Sequence, residues 1–403
     1  MSLPTHRQYK ESGIQWLGPV PDHWSIARFK QLMREIDKRA GTGSYELLGL
    51  SKALGVVKRA ALEQSAAESD DYGKYKVAKP GQLVMNKMQA WNGVFGIAPE
   101  LGIVSPDYSV FEVLNPGYIT FLCVLCKTDL MAGVFLTRSR GMGTAFLRLN
   151  TSDLLDTPVA LPSAEEAGLI SAFLDKEVAK IDSLVEEQLR LIELLKEKRQ
   201  AVISHAVTRG LAAASPLKDS GDPAIGLIPQ GWLTGPVKRF FTNLDSKRVP
   251  LSSEERAGRR GQFPYYGASG IIDHVDDYLY DETLVLVSED GANLVNRSTP
   301  VAFVAKGKYW VNNHAHILRP YDGAPTFWAA RIEDIDLSPY VTGSAQPKFT
   351  AEALANLPVS APANPDERLA IEAHIIELEG QTALLISEAG KMVRLLEERR
   401  SAS

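Results

Sequence analysis

The sequence contains few cysteines and no long apolar run. Only Cys123 and Cys126 occur among 403 residues, which excludes a disulfide-stapled secreted fold and favours a reducing compartment. Their CxxC spacing has apolar flanks and no second pair, so it favours packed core positions over a zinc or redox site. No eighteen-residue apolar run predicts a membrane span, and the first residues lack the apolar segment of a secretory signal. We expect a cytoplasmic protein with no membrane partner.

Catalytic motifs are also absent. The sequence has no GxxxxGK[ST], HExxH or GxSxG. Asp107 and Glu112 lack the nearby lysine of Mg²⁺-dependent nucleases. Residues 115–118 (NPGY) are faintly similar to the NPPY loop of amino-methyltransferases, but without a glycine-rich cofactor loop they favour a turn between strands. His314 and His316 alternate in a predicted strand and should share a face, without a third metal ligand. We predict no catalytic residue, metal or cofactor in this chain.

One long stretch lacks helix breakers. No proline occurs between Pro162 and Pro216, and no glycine between Gly168 and Gly210. Apolar residues recur there at alternating steps of three and four, which is typical of a coiled-coil helix: Leu174, Val178, Ile181, Val185, Ile192, Leu195 and Val202. We predict a helix over residues 163–210, of roughly 60–65 Å, with Ser163 as its N-cap and Gly210 at its end.

A second helix is predicted over residues 363–403. Its apolar positions are Ile371, Ile375, Leu378, Leu385, Met392 and Leu396. The letters LLKEKR at 194–199 return 201 positions later as LLEERR at 395–400. We predict that the two helices pair within the chain as an antiparallel coiled coil. The net charge is −5, and the acidic excess lies on these helices, which favours protein docking over DNA binding on them.

Two segments between the helices open and close alike, which indicates a duplication of about 200 residues. Residues 18–24 (GPVPDHW) match 226–232 (GLIPQGW), and the closing loop and strand at 141–162 match 343–362. Short apolar runs bounded by turn residues predict strands in each copy. We therefore predict an α+β fold of two similar globules, 1–162 and 226–362, with mixed β-structure and short helices. Residues 211–225 would form a flexible linker.

Polar and aromatic side chains cluster in predicted turns of both copies. Asn, Gln and Arg can read base edges, while Ser, Thr and Lys hold phosphates. The alternative is that many Asn and Gly residues only form turns. The candidate DNA contacts are Lys87, Gln89, Trp91, Asn92, Arg138, Arg140, Thr144 and Arg148 in the first copy, and Tyr265, Tyr266, Ser269, Asn293, Arg297, Asn313, His314, Ser344, Gln346 and Lys348 in the second.

With these residues in view, the chain resembles the specificity subunit of type I DNA restriction–modification enzymes almost from end to end. The resemblance is carried by residues 13–18 (GIQWLG), Pro21 and Trp24, 84–96 (VMNKMQAWNGVFG), 265–271 (YYGASGI), 288–294 (SEDGANL), 311–316 (VNNHAH) and 343–348 (GSAQPK). The first copy has Phe146 and Leu147 where the second has Gln346 and Pro347, so its closing loop departs from the pattern.

The resemblance implies two target-recognition domains, each reading one half of a bipartite, asymmetric site in double-stranded DNA. The helices would space the domains and dock two modification subunits, which methylate adenine with S-adenosylmethionine. Restriction subunits would add ATP- and Mg²⁺-dependent translocation and cleavage, and this chain would be non-catalytic. We expect half-site centres about one helical turn apart, roughly 34–36 Å. The alternative hypothesis is a two-headed adaptor that binds protein or glycan on a coiled-coil rod.

Overall fold

The computed structural model describes residues 8–62, 72–141, 147–212, 215–343 and 346–402. The chain divides into two compact units. Unit 1 comprises residues 1–184 and 396–403, and unit 2 comprises residues 185–395. Each long helix therefore contributes to both units, and each unit contains one sheet-rich globule.

The described residues of unit 1 before the long helix form twelve short strands and four α-helices. The strands are β1 (Tyr9–Glu11), β2 (Pro19–Pro21), β3 (Ser25–Arg28), β4 (Met33–Glu35), β5 (Glu46–Ser51), β6 (Gly55–Lys58), β7 (Lys76–Ala78), β8 (Leu83–Asn86), β9 (Phe95–Ile97), β10 (Gly102–Val104), β11 (Tyr108–Val113) and β12 (Pro158–Leu161). The helices are α1 (Phe29–Leu32), α2 (Ile119–Lys127), α3 (Asp129–Arg138) and α4 (Thr151–Leu155). The long helix α5 (Ala164–Arg209) follows.

The strands of unit 1 form two four-stranded sheets and two two-stranded ones. The four-stranded orders are β6-β5-β10-β7 and β4-β11-β8-β9, and the pairs are β1-β2 and β12-β3. The main core packs helices α2 and α3 against the second sheet through Phe95, Phe111 and Phe135. Both cysteines lie in α2 and are buried, as the sequence predicts, and burial raises the pKa of the Cys126 thiol.

Unit 2 repeats the order of the strands, while its short helices differ in number and place. Its strands are β13 (Leu217–Asp219), β14 (Leu227–Pro229), β15 (Trp232–Pro236), β16 (Phe241–Asn243), β17 (Arg260–Gly267), β18 (Gly270–Val275), β19 (Tyr280–Asp281), β20 (Leu284–Ser288), β21 (Ala302–Ala305), β22 (Lys308–Val311), β23 (Ala315–Pro320) and β24 (Pro358–Pro362). Its helices are α6 (Ser253–Gly258), α7 (Asn293–Asn296), α8 (Pro325–Glu333), α9 (Ala351–Asn356) and α10 (Pro365–Ala402), which ends in unit 1.

The sheets of unit 2 have the same strand order as those of unit 1. The four-stranded orders are β18-β17-β22-β19 and β16-β23-β20-β21, and the pairs are β13-β14 and β15-β24. The main core packs α8 on the second sheet around Phe240, Phe241 and Trp328. A duplicated α+β fold is therefore confirmed at the level of topology.

The predicted stripe of α5 is its less exposed face. All seven predicted apolar positions, together with Gln188 and Arg199, are buried or half-buried, while most residues between them are exposed. The Ser163 hydroxyl accepts a hydrogen bond from the Glu166 N–H at 3.1 Å, as expected of an N-cap. Gly210 follows the helix with φ +81°, a left-handed conformation that glycine adopts without strain.

In α10 the predicted stripe is right at Ile371, Ile375, Leu378 and Leu396, which are buried or half-buried, and wrong at Leu385 and Met392. Ile371 and Ile375 are buried, but Leu385 and Met392 are 48% and 49% exposed. Their places are taken by smaller residues, with Thr382, Ala389 and Val393 buried. Leu385 and Met392 were predicted to face inward because they are large and apolar. The helical periodicity that starts at Ile371 and Ile375 instead turns residues 382, 389 and 393 inward.

The two long helices contact each other within each unit. In unit 2, Ile203 and Val207 of α5 share a core with Ile371 and Ile375 of α10. In unit 1, the Arg400 guanidinium bonds the Asp182 carboxylate at 2.6 Å. The start of α10 thus meets the end of α5, and the end of α10 meets the first half of α5, so the pairing is antiparallel.

The opening tryptophan of each globule is bonded to the long helix that follows that globule. The Trp24 indole N–H donates to Glu166 of α5 at 3.1 Å. The Trp232 indole N–H donates to Glu367 of α10, also at 3.1 Å. The two glutamates are 201 positions apart, which is the offset of the helical repeat found in the sequence.

Helices α2 and α3 are separated at Thr128, whose hydroxyl caps α3 by accepting from the Met131 N–H. Two smaller expectations differ from the structure. The expected linker at 211–225 contains strand β13, which pairs with β14. Residues 115–118 form a turn between a strand and a helix, capped by the Asn115 side chain.

No single helix among the described residues is long and apolar enough to cross a membrane. The segment 116–127 and α3 meet the length and composition limits only together, across a 74° bend.

Candidate nucleic-acid interface

Four segments of unit 2 meet at one edge of its sheets. They follow strands β17, β20 and β22, and the fourth is the closing loop before α9. The N–H of Asn312 donates to the Tyr266 carbonyl at 3.0 Å, and the N–H of Glu289 donates to the His314 carbonyl at 2.9 Å. The N–H of Phe349 donates to the Glu289 carbonyl at 2.7 Å. We call these joined segments the unit 2 edge: residues 266–269, 289–291, 312–314 and 346–349.

The Arg248 side chain links two segments of the unit 2 edge. Its guanidinium is 15% exposed and bonds the Glu289 carboxylate at 2.6 Å. The same side chain donates to the Asn313 and Ala315 carbonyls at 3.2 and 3.0 Å. Burial would raise the pKa of Glu289, but the Arg248 hydrogen bond and the neighbouring positive charges hold it below its usual value. Glu289 therefore stays ionised and keeps the segments joined.

A buried histidine supports the same edge. His316 is fully buried, with Nδ1 at 2.6 Å from the Asp245 carboxylate and Nε2 at 2.8 Å from the Phe349 carbonyl. Both ring nitrogens thus face acceptors. Burial would raise the pKa of Asp245, but its hydrogen bond with His316 lowers it overall.

His314 and His316 do not share a face, so that expectation is wrong. His314 lies in the turn before β23, and its side chain is 47% exposed beside Asp290. The strand begins only at Ala315, so the period-two alternation does not include His314. Among the described residues no group of three or more His, Cys, Asp or Glu side chains could hold a metal ion.

The structure divides the predicted residues of unit 2 into outer and inner sets. Ser269, Asn313, His314, Gln346 and Lys348 are exposed on the unit 2 edge, and Tyr266 is half-buried there. Ser344 lies outside the described residues.

Three predicted residues point inward instead. Tyr265 is fully buried, and its hydroxyl accepts from the Leu251 N–H at 2.9 Å. The Asn293 side chain accepts from the Thr299 N–H at 2.9 Å. Arg297 adopts φ +47° and donates to the Glu333 carbonyl at 2.6 Å. These three side chains stabilise loops in this structure and do not present free polar groups on the edge.

The corresponding edge of unit 1 is built in the same way. The N–H of Leu149 donates to the Lys87 carbonyl at 2.9 Å, and Arg140 and Arg148 pair through their backbones at 3.0 and 2.9 Å. The Arg148 guanidinium donates to the Asp107 carboxylate at 3.0 Å. We call residues 87–92, 107, 138–141 and 147–149 the unit 1 edge. Thr144 lies outside the described residues.

The loop after β8 is shaped by its own side chains. The Asn86 amide oxygen accepts from the Met88 N–H at 3.0 Å, and the Trp91 indole donates to the Met88 carbonyl at 2.9 Å. Trp91 is thereby half-buried against the core. Gln89 and Asn92 remain exposed, so these two side chains are the ones the loop presents.

Positive charge accumulates on the unit 1 edge. Arg140 is 78% exposed and 3.6 Å from Asp153, and Arg138 is half-buried at the end of α3. Burial lowers the pKa of Lys87, and the neighbouring Lys76 and Arg148 charges lower it further. Such a cluster of cations is suited to a polyanionic ligand.

Several residues of the two edges had not been singled out from the sequence. Lys52, at the tip of the β5–β6 hairpin, donates to Asn92 at 3.2 Å. Arg248, Glu289 and Asp290 hold the unit 2 edge. Asp107 had been considered only as a metal ligand, whereas it pairs with Arg148. Glu289 and Asp290 lie in the 288–294 stretch that carries the resemblance, but the sequence does not show these contacts, because each joins residues 24 or more positions apart.

Known proteins share both the sequence pattern and the fold. A family model described as the type I restriction modification DNA specificity domain matches residues 229–373. A protein of Haemophilus influenzae described as a type I restriction enzyme specificity subunit is 29% identical over 155 residues. That alignment spans 38% of this chain and 38% of the relative's length, which is less than two thirds of it.

Two solved structures cover nearly the whole chain. One, from work on complex assembly and conformational transition of the type I R-M system, has a TM-score of 0.63 at 16% identity and covers 95% of this chain and 96% of that one. The HsdS subunit of Thermoanaerobacter tengcongensis has a TM-score of 0.57 at 17% identity, with the same coverage. Residues 229–373 thus match the DNA specificity domain of type I restriction–modification systems, and nearly the whole chain has the fold of these two solved structures.

Proposed function

We propose that this chain is the DNA-recognition subunit of a type I restriction–modification complex. Each unit would read one half of a bipartite, asymmetric site. The observation that carries the proposal is the repetition of one sheet plan with different polar side chains on the same edge. A duplicated scaffold with different reading residues is what two unlike half-sites require.

In unit 2 the exposed side chains match the chemistry of base edges. Asn313 and Gln346 carry amides that can bond adenine in two places, and Lys348 can bond guanine or a phosphate. Ser269 adds a hydroxyl suited to phosphate. Lys348 lies 3.3 Å from Glu289, which keeps its ammonium near the edge.

In unit 1 the edge is dominated by cations. Arg140 and Lys87 are suited to phosphates, while Arg148, oriented by Asp107, can bond guanine through two N–H groups. Gln89 and Asn92 can contribute amide contacts. Unit 1 would therefore supply more of the salt-dependent affinity.

The long helices would dock partner subunits and set the distance between half-sites. Leu194, Leu384 and Leu395 are 52%, 61% and 60% exposed on α5 and α10. Two modification subunits that carry S-adenosylmethionine would cover such positions, and restriction subunits would add ATP- and Mg²⁺-dependent cleavage. The chain itself would contribute no catalytic group.

The decisive experiment is methylation mapping. The chain is co-expressed with type I modification subunits, and genomic DNA is sequenced by a single-molecule method that detects methylated bases. We expect one motif with two unlike halves and a fixed spacer. Methylation that does not depend on this chain, or a contiguous motif, would contradict the proposal.

A length variant tests the role of the helices. Inserting four residues, about one turn, into both α5 and α10 should lengthen the preferred spacer and leave the half-site sequences unchanged. The same insertion into α5 alone is the control, and it should disrupt helix pairing. An unchanged spacer in the double insertion would contradict the spacing role.

A further inference from the structure

We propose that His314 reads a base in the half-site of unit 2 and that Asp290 sets which hydrogen bond it makes. The inference rests on the proposed function and adds to it a specific pair of side chains and the chemical group they recognise.

His314 is held at three of its four polar groups. Its N–H donates to the Asn312 side chain at 2.8 Å, and its carbonyl accepts from the Glu289 N–H at 2.9 Å. Its Nδ1 lies 2.8 and 3.0 Å from the two oxygens of Asp290. Nε2 has no hydrogen-bond partner in the part of the chain that the structure describes. Nε2 is thus available for a hydrogen bond to a ligand, and the contact between Nδ1 and Asp290 holds the ring in place.

The surroundings leave space for a ligand beside that ring. His314 borders a cleft of about 310 Å³, with Asn312 and Asn313 on the same wall and Arg256 among the other lining residues. Arg256 is already engaged, because it bonds Asp273 at 3.0 Å and the Leu251 carbonyl at 2.8 Å. The imidazole nitrogen Nε2 is therefore available to hydrogen-bond a ligand in this cleft, beside the exposed Asn313 amide.

Asp290 determines the proton position on the ring. An ionised carboxylate only accepts hydrogen bonds, so Nδ1 must carry the hydrogen. In the neutral ring Nε2 is then an acceptor. In the major groove the donors are the exocyclic amines of adenine and cytosine. His314 would select adenine or cytosine, whose amines lie in the major groove, over guanine or thymine at one position of the half-site.

The other charged groups near the ring are already paired. Arg248 bonds the carbonyls of the residues that flank His314 and the Glu289 carboxylate. Lys348 also pairs with Glu289. Asp290 is the carboxylate in direct contact with the imidazole. The proton arrangement of His314 therefore depends chiefly on this one contact.

The test is a selection from a randomised duplex library at about pH 8. The full chain, co-purified with its modification subunits, is compared as wild type, His314→Ala, His314→Gln and Asp290→Asn. His274→Ala, an exposed histidine elsewhere in unit 2, is the control. Bound sequences are counted, and thermal unfolding of each variant is recorded.

We expect His314→Ala to lose about 10-fold of preference at one base pair and to keep the other half-site. Asp290→Asn should relax the same position, because an amide can donate or accept and no longer fixes the proton. His314→Gln should retain part of the preference, since its amide oxygen accepts. His274→Ala should match wild type.

Three results would overturn the inference. They are an unchanged profile in His314→Ala, an equal loss at all positions with an unchanged melting temperature, and a wild-type preference for guanine at the His314-dependent position. A wild-type complex that enriches no sequence would instead contradict the proposed function itself.

Discussion

The two edges occupy the same place in the fold and differ in charge. In unit 1 Asn86 of β8 lies opposite Tyr108 of β11, and in unit 2 Ser288 of β20 lies opposite Ala315 of β23. The next residue is Lys87 in unit 1 and Glu289 in unit 2, and each accepts the N–H of the closing loop. A lysine and a glutamate thus stand at equivalent positions.

The difference continues beneath the edges. Asp37 and Asp245 follow equivalent strands, but the Asp37 side chain is 54% exposed and that of Asp245 is 12% exposed. Opposite them, Ser109 and His316 are both fully buried. Unit 2 buries the ion pair of Arg248 and Glu289 under its edge, whereas unit 1 buries Lys76 beside Glu35 and Asp37 and leaves Arg140 and Arg148 of its edge exposed. One scaffold can therefore support either a rigid edge or a basic edge, depending on a few side chains.

The largest expected effect is on loop rigidity in unit 2. Arg248→Ala leaves Glu289 buried without its main partner, which we expect to cost about 3 kcal/mol of local stability. Hydrogen exchange measured by mass spectrometry should accelerate over residues 312–318 and stay unchanged over residues 105–112 of unit 1. Arg260→Ala, at an exposed arginine of the same unit, is the control. Equal acceleration in both segments would contradict a separate network in unit 2.

The next effect concerns DNA affinity. Lys87→Glu gives the unit 1 edge the negative charge that Glu289 has at the equivalent position of unit 2. We expect duplex binding to weaken about 10-fold and the slope of log affinity against log salt concentration to fall by about one. Lys79→Glu is a matched control, because Lys79 is an exposed lysine preceding β8, whereas Lys87 follows it. Fluorescence anisotropy titrations at several salt concentrations measure both quantities. If Lys79→Glu weakens binding equally, the unit 1 edge is not the contact.

A smaller effect separates supporting residues from reading residues within unit 2. Tyr265→Phe removes a buried hydroxyl that bonds Leu251, and we expect a loss of about 1 kcal/mol in stability. The methylated sequence should not change. Urea unfolding and methylation mapping measure the two properties. An altered motif would show that Tyr265 takes part in reading DNA.

The smallest effect is a difference in acid sensitivity. The pKa of Asp245 lies below its ordinary value of 3.8, so its contribution is present above that value and is lost as pH falls through the lowered pKa. We expect Asp245→Asn to cost on the order of 1 kcal/mol near neutral pH and less below about pH 3. Asp37→Asn, on the exposed side of the comparison, should cost less at neutral pH. Urea unfolding at several pH values measures both, and equal costs would contradict the comparison.

The sequence was sufficient to predict the long helix α5 and the duplicated globules. Periodicity predicted α5 and its inner face, and the matched landmarks around Trp24 and Trp232 predicted the duplication. These features are local, or repeat at a fixed offset, so a pattern can reveal them. In α10 the prediction failed at Leu385 and Met392, because smaller residues fill the inner positions there and these larger ones lie outside.

The edges were only partly predictable. Exposed turn residues such as Asn313 and Gln346 were identifiable from composition, but Tyr265 and Arg297 look similar in the sequence and turn inward in the fold. The pairs Asp290–His314 and Arg248–Glu289 join residues on different strands. Their proximity depends on the strand order of the sheets, which no short window of sequence contains.

The tryptophan–glutamate bonds carry a practical rule for building chimaeras. Each globule begins with a tryptophan that is anchored on the first turn of the helix following that same globule. A cassette exchanged between relatives should therefore run from before Trp24 to beyond Glu166, or from before Trp232 to beyond Glu367. A crossover at the junction between the last strand and the helix would separate the tryptophan from its glutamate. The crossover should therefore lie inside the helix, after the glutamate.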